Sequence, residues 1–425
     1  MNWLFSTSCA SLSALGLLVL SARPDSGSDW PQYRGPDRLG AIRESGLLAA
    51  WDAGQPRVVW RRPIGAGYSA VTVAGGRLFT MDADAAKEAV LALDVESGAT
   101  VWRVEVGAFV QAELGDGGPR STPTVDGRVV YAVSTQARLL ALATEDGRLL
   151  WEKDLRELGP VPRFHYSVSP LVDGELLILE VGEKDKSPGV TAFDKRTGQA
   201  RWTALQGPAG YSSPIAVEIG GVRQYLFSRA REVVSLSPTG EILWRHPTEP
   251  KSAIPMPVFV APDRVFVSAS EDAFGGLMLR AFREGGTFRT EEVWRQRLMR
   301  NHFNTSVVVG GHLYGFDNGT LRCLDVATGE RTWAKRGFGK GSLVAAGSLL
   351  YVLGDDGTVA LVQAASEAYR EAGRIKATTG RAWTAPSLAG GRLYIRDFDE
   401  IVSLDVRATG APAAGRVGVG EEEAR

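Results

Sequence analysis

The chain alternates short apolar runs with turn formers along almost its whole length. Runs such as "AVTVAGGRLFTMD" (70–82), "TPTVDGRVVYAVS" (122–134) and "APSLAGGRLYIRD" (385–397) share one grammar. Each is a β-rich stretch, a Gly or Asp turn, and a second β-rich stretch, which predicts a hairpin. Eight such openings occur, at 69–82, 121–134, 168–181, 212–228, 256–270, 305–317, 342–354 and 385–397. Helical periodicity is carried nowhere over a useful length.

A third element follows each opening. It reads "LDVESGATVW" (93–102), "LATEDGRLLW" (142–151), "FDKRTGQARW" (193–202), "LSPTGEILW" (236–244), "FREGGTFRTEEVW" (282–294) and "LDVATGERTW" (324–333). A seventh copy, "LVQAASEAYREAGRI" (361–375), has lost both the turn Gly and the Trp. In five of the six Trp-bearing copies the Trp follows the Gly by four residues. The Trp positions, 60, 102, 151, 202, 244, 294 and 333, recur at a period that belongs to propellers and solenoids. One unit is therefore four antiparallel strands, a propeller blade. The predicted fold is all-β, an eight-bladed propeller over 57–410. The last blade, ending at "IVSLDVRATG" (401–410), lacks a Trp strand, while the spare "RVVWRR" (57–62) precedes the first blade. That spare strand is expected to complete the last blade and leave no open edge at the seam. Trp60, Trp102, Trp151, Trp202, Trp244, Trp294 and Trp333 are read as structural docks against neighbouring blades, because peripheral strands offer no concave site. The Gly supplies a positive φ and Asp or Thr closes the turn.

The phrase A-x-D-x-x-T-G-x-x-x-W, repeated blade by blade, resembles the tryptophan-docking repeat of the PQQ-repeat propellers. That family includes quinoprotein alcohol and glucose dehydrogenases. It also includes non-catalytic relatives such as the propeller lipoprotein of the outer-membrane β-barrel assembly machinery, which this chain resembles more. The resemblance covers residues 55–410. The segment "DWPQYRGPDRLGAI" (29–42) resembles the entry segment of many secreted bacterial PQQ-like repeat proteins. The dehydrogenases hold PQQ with Ca²⁺ or a lanthanide, so the resemblance would require a Glu, an Asn and an Asp as ligands, and usually adjacent disulfide-bonded cysteines. Glu180, Asn304 and Asp397 are the nameable candidates, and they do not align into a ligand set. The two cysteines, Cys9 and Cys323, are far apart, and the long insertions of those enzymes are missing. No catalytic residue and no metal site is assigned, and PQQ with Ca²⁺ is not expected.

Candidate ligand chemistry lies in the residues that vary. At the start of each inner strand stand Tyr68, Arg120, Ser167, Tyr211, Ile254, Phe303, Lys340 and Trp383, flanked by His165, Tyr166, His302 and Asn304. These positions are expected to crowd one mouth of the central channel. There they either fill it by contacting one another or receive a peptide segment, a sugar or a small anion. "GDDGT" (354–358) and "FDNGT" (316–320) read as hairpin turns, not Ca²⁺ loops.

Composition narrows the partners. With 44% hydrophobic and 23% charged residues and a net charge of -1, no field favours nucleic acid. Residues 1–22 read as a signal peptide with cleavage near Ala22, or as an uncleaved anchor, since no Lys or Arg precedes the apolar run. That predicts a periplasmic or extracellular protein. Residues 23–56 read as a strap carrying Trp30, Pro31, Tyr33 and Trp51, and 411–425 as a disordered tail. The leading expectation is a monomeric, non-enzymatic scaffold binding an envelope protein or peptide. A quinoprotein-like oxidoreductase and a saccharide- or peptide-binding propeller are the alternatives.

Overall fold

The structure, a computed structural model, describes residues 29–52, 55–111, 113, 116–183 and 186–408. The expected leader (1–22) and tail (411–425) lie outside the described residues. Eight antiparallel sheets follow one another along the chain, each with four strands of the repeat. Blade 1 is typical: Thr72–Ala74, Arg77–Ala83, Lys87–Asp94 and Thr100–Ala108, innermost to outermost. First strands of neighbouring blades contact one another around the axis. Arg57–Pro63 pairs antiparallel with Glu400–Asp405 and completes blade 8, as the spare Trp strand predicts.

The rungs explain the repeat. In blade 1, Phe79, Ala92 and Trp102 lie side by side on the second, third and fourth strands. Tyr131–Ala141–Trp151, Phe266–Met278–Trp294, Tyr314–Cys323–Trp333 and Tyr394–Ser403–Trp60 repeat that rung. A small or slim middle residue lets the two rings meet across it, with centroids 5.8–6.1 Å apart in these five rungs. Cys323 is buried here as the slim residue.

The Trp and Gly of one phrase do not serve each other. Five of the seven Trp residues, Trp60, Trp102, Trp151, Trp202 and Trp294, lie on the turn Gly of the next blade: a Cβ on Gly98, Gly147, Gly198, Gly240 or Gly329 would fall 2.6–2.8 Å from the preceding blade's indole. The indole N–H of Trp60, Trp102, Trp151, Trp202, Trp294 and Trp333 donates to a backbone carbonyl of the following blade at 2.8–3.0 Å. So Gly is needed for its positive φ and also for its missing side chain. Asp94, Asp194 and Asp325 close these turns by accepting from backbone N–H groups.

Trp244 departs from the expected seven docks. Blade 5 joins two ten-residue strands by the bare hairpin Gly285–Gly286, where a Cβ would meet nothing within 4 Å. With no dock turn opposite, Trp244 donates inward to Gln224 Oε1 at 2.9 Å. Gln224 is fully buried and also accepts from Ser235 Oγ at 2.7 Å.

Blade 7 has Gly373 at the Trp position of its rung, opposite Leu361. Trp51 of the strap fills the gap. A Cβ on Gly373 would lie 2.4 Å from Trp51 Cβ, and the backbone N–H of Trp51, not its indole, donates to Ala372 O at 2.7 Å. Its ring meets Tyr351 at 6.2 Å and 40°, close to the 42–47° of the five rungs above. The missing dock is supplied from outside the repeat.

Two stability measurements check this. Trp51→Ala should cost about 3–5 kcal/mol in denaturant unfolding, like Trp102→Ala; a cost typical of a surface residue would refute the substitution of one Trp for another. Gly198→Ala should destabilise more than Gly174→Ala. Both positions have positive φ, +71° and +57°, but only Gly198 carries a Trp ring. The expected extra cost is about 1–3 kcal/mol.

Candidate functional site: the channel mouth and its floor

The strap reaches the outer seam only after crossing the channel. Trp30 pairs with Val73 of blade 1, and Pro31 O accepts from Val125 N of blade 2. Ala41–Ile42 then adds a parallel strand to the inner strand Ser342–Ala346 of blade 7. Between them lie two buried guanidinium groups. Arg34 Nη2 donates to Ser306 O of blade 6 at 3.0 Å. Arg38 reaches Ser169 O and Pro170 O of blade 3, Pro214 O of blade 4 and Thr124 Oγ1 of blade 2. Both are 2% exposed or less. Burial lowers the Arg34 pKa to about 10 and that of Arg38 to about 9. Inner-strand carbonyls, which would otherwise face an open channel, are thus satisfied by one segment. The Arg34–Gly35–Pro36 turn lies inside the channel, and the polar hollow beneath it is lined by Gln32, Asp37, Asp126, Asp173 and Arg223.

Above this floor is a cavity of about 450 Å³. Tyr68, Arg120, Ser167, Tyr211, Ile254, His302, Phe303 and Trp383 line it, joined by Tyr33 from the strap, Phe164, Ser169, Ser213 and Ser252. Lys340 stands beside it, with Nζ 5.3 Å from the Phe303 ring and 5.6 Å from that of Trp383. The register at the inner-strand starts therefore brings most of the variable positions together. It also misplaces some. Tyr166 is 1% exposed and packs with Leu155, Val168 and Leu179 between blades, because alternation along an extended strand turns it away from its neighbour Ser167. His165, in a left-handed turn with φ 61°, is not in the lining, so the two histidines expected at matching places separate. His302 stacks on Phe303 at 3.9 Å, and burial followed by Lys340 lowers its pKa. Asn304 is buried and donates to Gly341 O.

Aromatic pairs wall the cavity: Phe303–Trp383 at 4.8 Å, Tyr68–Trp383 at 6.4 Å and Phe164–Tyr211 at 5.5 Å. Arg120 lies 5.2 Å over Tyr68. Around the mouth, hydroxyls of one blade accept from backbone N–H groups of the blade before. Thr122 Oγ1 takes Ala70 N, Ser169 Oγ takes Thr122 N, Ser213 Oγ takes Ser169 N, and Thr305 Oγ1 takes Met256 N, all at 2.9–3.0 Å. The sequence signal for the lining was the set of variable positions at the inner-strand starts. Tyr33 and Phe164 gave no periodic signal, since both sit outside the repeat.

The family model described as outer membrane protein assembly factor BamB matches residues 33–108 and 86–335. No curated protein matches the sequence. Among solved structures, BamB from Moraxella catarrhalis is similar with a TM-score of 0.60 at 16% identity, over 82% of this chain and 97% of that one. A europium-containing methanol dehydrogenase gives 0.66 at 13% identity, over 87% and 89%. Quinohemoprotein alcohol dehydrogenase from Comamonas testosteroni gives 0.62 at 12%, over 93% and 83%. At such identities the likeness is one of fold.

The quinone and hard cation implied by the dehydrogenase resemblance can be tested against the residues present. Such a cation takes six or more oxygens. The described lining residues contribute no carboxylate, and no group of three or more His, Cys, Asp or Glu among the described residues could hold a metal. Glu180 is fully buried, 3.5 Å from Arg229, and accepts from Gly210 N. Asp397 accepts from the N–H groups of Gly380, Asp399 and Glu400. These two and Asn304 each close a separate local structure and do not form a ligand set for a metal–quinone pair. Burial outweighs Arg229 and raises the Glu180 pKa to about 7. The folded state thus holds this proton after the unfolded chain has lost it, so its contribution to stability falls as pH rises from about 4.5 to about 7. Glu180→Gln should flatten that part of the stability–pH curve in denaturant titrations; an unchanged slope would refute the assignment.

Proposed function

The chain belongs to the family of outer membrane protein assembly factor BamB, and from that membership we propose an exported, non-enzymatic propeller that serves as a protein-binding scaffold in the cell envelope. The observation that carries this reading is the asymmetry of the two faces. On the cavity side the blades are joined by long connections, 109–123, 155–170, 207–214, 248–257 and 297–306. On the opposite side the strands turn on glycine pairs such as Gly75–Gly76, Gly220–Gly221, Gly310–Gly311 and Gly390–Gly391. The strap fills the channel between the faces. Loops held by a rigid ring are the usual place for partner recognition. The absence of carboxylates from the described cavity lining favours binding over quinone-dependent oxidation. The leader supplies export in this reading, and the family the periplasmic, membrane-associated location.

A photo-crosslinking amino acid at Phe164, on the loop face, should give a discrete adduct in native envelopes. The same probe at Arg128, on the opposite face, should give none. Equal labelling from both faces, or none from either, would overturn the scaffold assignment. Incubation with PQQ and Ca²⁺ should produce no alcohol-dependent dye reduction; turnover would move the protein to the oxidoreductases.

A further inference from the structure

The cavity has a chemistry of its own, distinct from a docking loop. The geometry points to a site for an acidic saccharide, one or two sugar rings bearing carboxylate or sulfate. It rests on the reading above only in that the site binds its ligand without turning it over.

Three features converge. The walls are aromatic faces, and the apolar C–H face of a sugar ring stacks on such surfaces. Tyr68, Tyr211, Phe303 and Trp383 come from blades 1, 4, 6 and 8, so rings can be held from opposite sides. The only charge among the described lining residues is positive, and the carboxylates just behind them, Glu271, Asp355 and Asp116, are held by Ser252, Lys340 N and Arg381. Arg120 lines the cavity and Lys340 stands at its edge, while the described lining carries no carboxylate. Lys340 has no ion-pair partner among the described residues, whereas Arg381 over Trp383 is paired with Asp116. Cations at low-dielectric walls focus a positive potential, and a guanidinium fork suits carboxylate or sulfate oxygens. Hydroxyls complete the set: Ser167 and Ser252 donate to Tyr211 O and Glu271 and so present acceptor lone pairs to sugar hydroxyls, while Tyr33 and Tyr211 add two phenol groups to the lining. The volume of about 450 Å³ falls in the range of small-ligand sites.

An extended peptide fits less well. It would seek backbone partners, and the backbone N–H groups at the mouth are already taken. Ala70, Thr122, Ser169 and Met256 donate to the Ser/Thr ring, and Tyr68 N and Tyr211 N donate to Pro119 O and Ala253 O. Recognition must come from side chains, as it does for sugars. The indole N–H of Trp383 has no acceptor among the described residues, so no hydrogen bond fixes the tilt of that ring.

Isothermal titration of the full chain with digalacturonate, its neutral dimethyl ester and a sulfated disaccharide tests this. Saturable binding of an acidic probe, about tenfold tighter than the ester and weakened by salt, is expected. The preferred acidic probe identifies carboxylate or sulfate as the group read. Arg120→Gln and Lys340→Gln should each weaken binding about tenfold, and Trp383→Ala should abolish it, with unchanged melting temperatures. Equal affinity for the ester, no binding of any probe, or affinity lost only in step with melting temperature would overturn the proposal. Failure here leaves the crosslinking result of the scaffold standing, and failure there leaves this site standing.

Discussion

An indole ring laid on a bare glycine is the contact on which this molecule is organised. A Trp on an outermost strand buries its ring only if the next blade offers a surface without a side chain and a carbonyl for its N–H. The turn Gly meets the first demand and the backbone beside it the second, as at Trp151 over Gly198 with its bond to Lys195 O. Because each contact joins one blade to the next, the geometry of one seam is repeated around the ring, and a ring tolerates few gaps. Where the repeat fails at Gly373, Trp51 is brought in to occupy the vacated place. Where the receiving turn fails at Gly285–Gly286, a buried Gln224 takes the N–H instead. The first repair fills the space beside Tyr351, and the second gives a buried donor its acceptor.

The strap links closure to the site. Its outer end supplies Trp51 and then the last strand of blade 8; its inner end threads the channel with Trp30, Arg34 and Arg38. A ring of eight inner strands leaves a central space lined by backbone carbonyls. Two arginines offer many donors in fixed planes, and they satisfy carbonyls of blades 3, 4 and 6 without a buried carboxylate. This divides the channel into an aromatic cavity on the loop face and a smaller polar hollow on the other. The element that completes the ring therefore also sets the depth of the pocket.

Much of the cavity was legible because the inner-strand starts recur in register, so Tyr68, Arg120, Tyr211, Phe303 and Trp383 can be gathered from five different blades by sequence position alone. Tyr166 went the other way. Adjacent residues on extended backbone face opposite sides, and proximity in sequence to Ser167 was no guide to sharing its cavity. Tyr33 and Phe164 were invisible to the register because strap and loop residues carry no period. Glu180 looked like a ligand candidate by residue type alone; its position beside Arg229 and Gly210 is a matter of packing between blades.

By itself the sequence determined the all-β class, eight blades of four strands, and the spare Trp strand that closes the ring, since these depend on local periodicity and turn chemistry repeated many times. Tertiary structure alone decided which Gly receives which Trp, that Trp51 stands in for the missing dock, and that the strap floors the channel. Those are contacts between residues far apart in the chain, and side-chain alternation and turn propensity fix only what neighbours in sequence do. The ligand chemistry of the mouth belongs to the same class, because a pocket is defined by what eight separate strands leave empty between them.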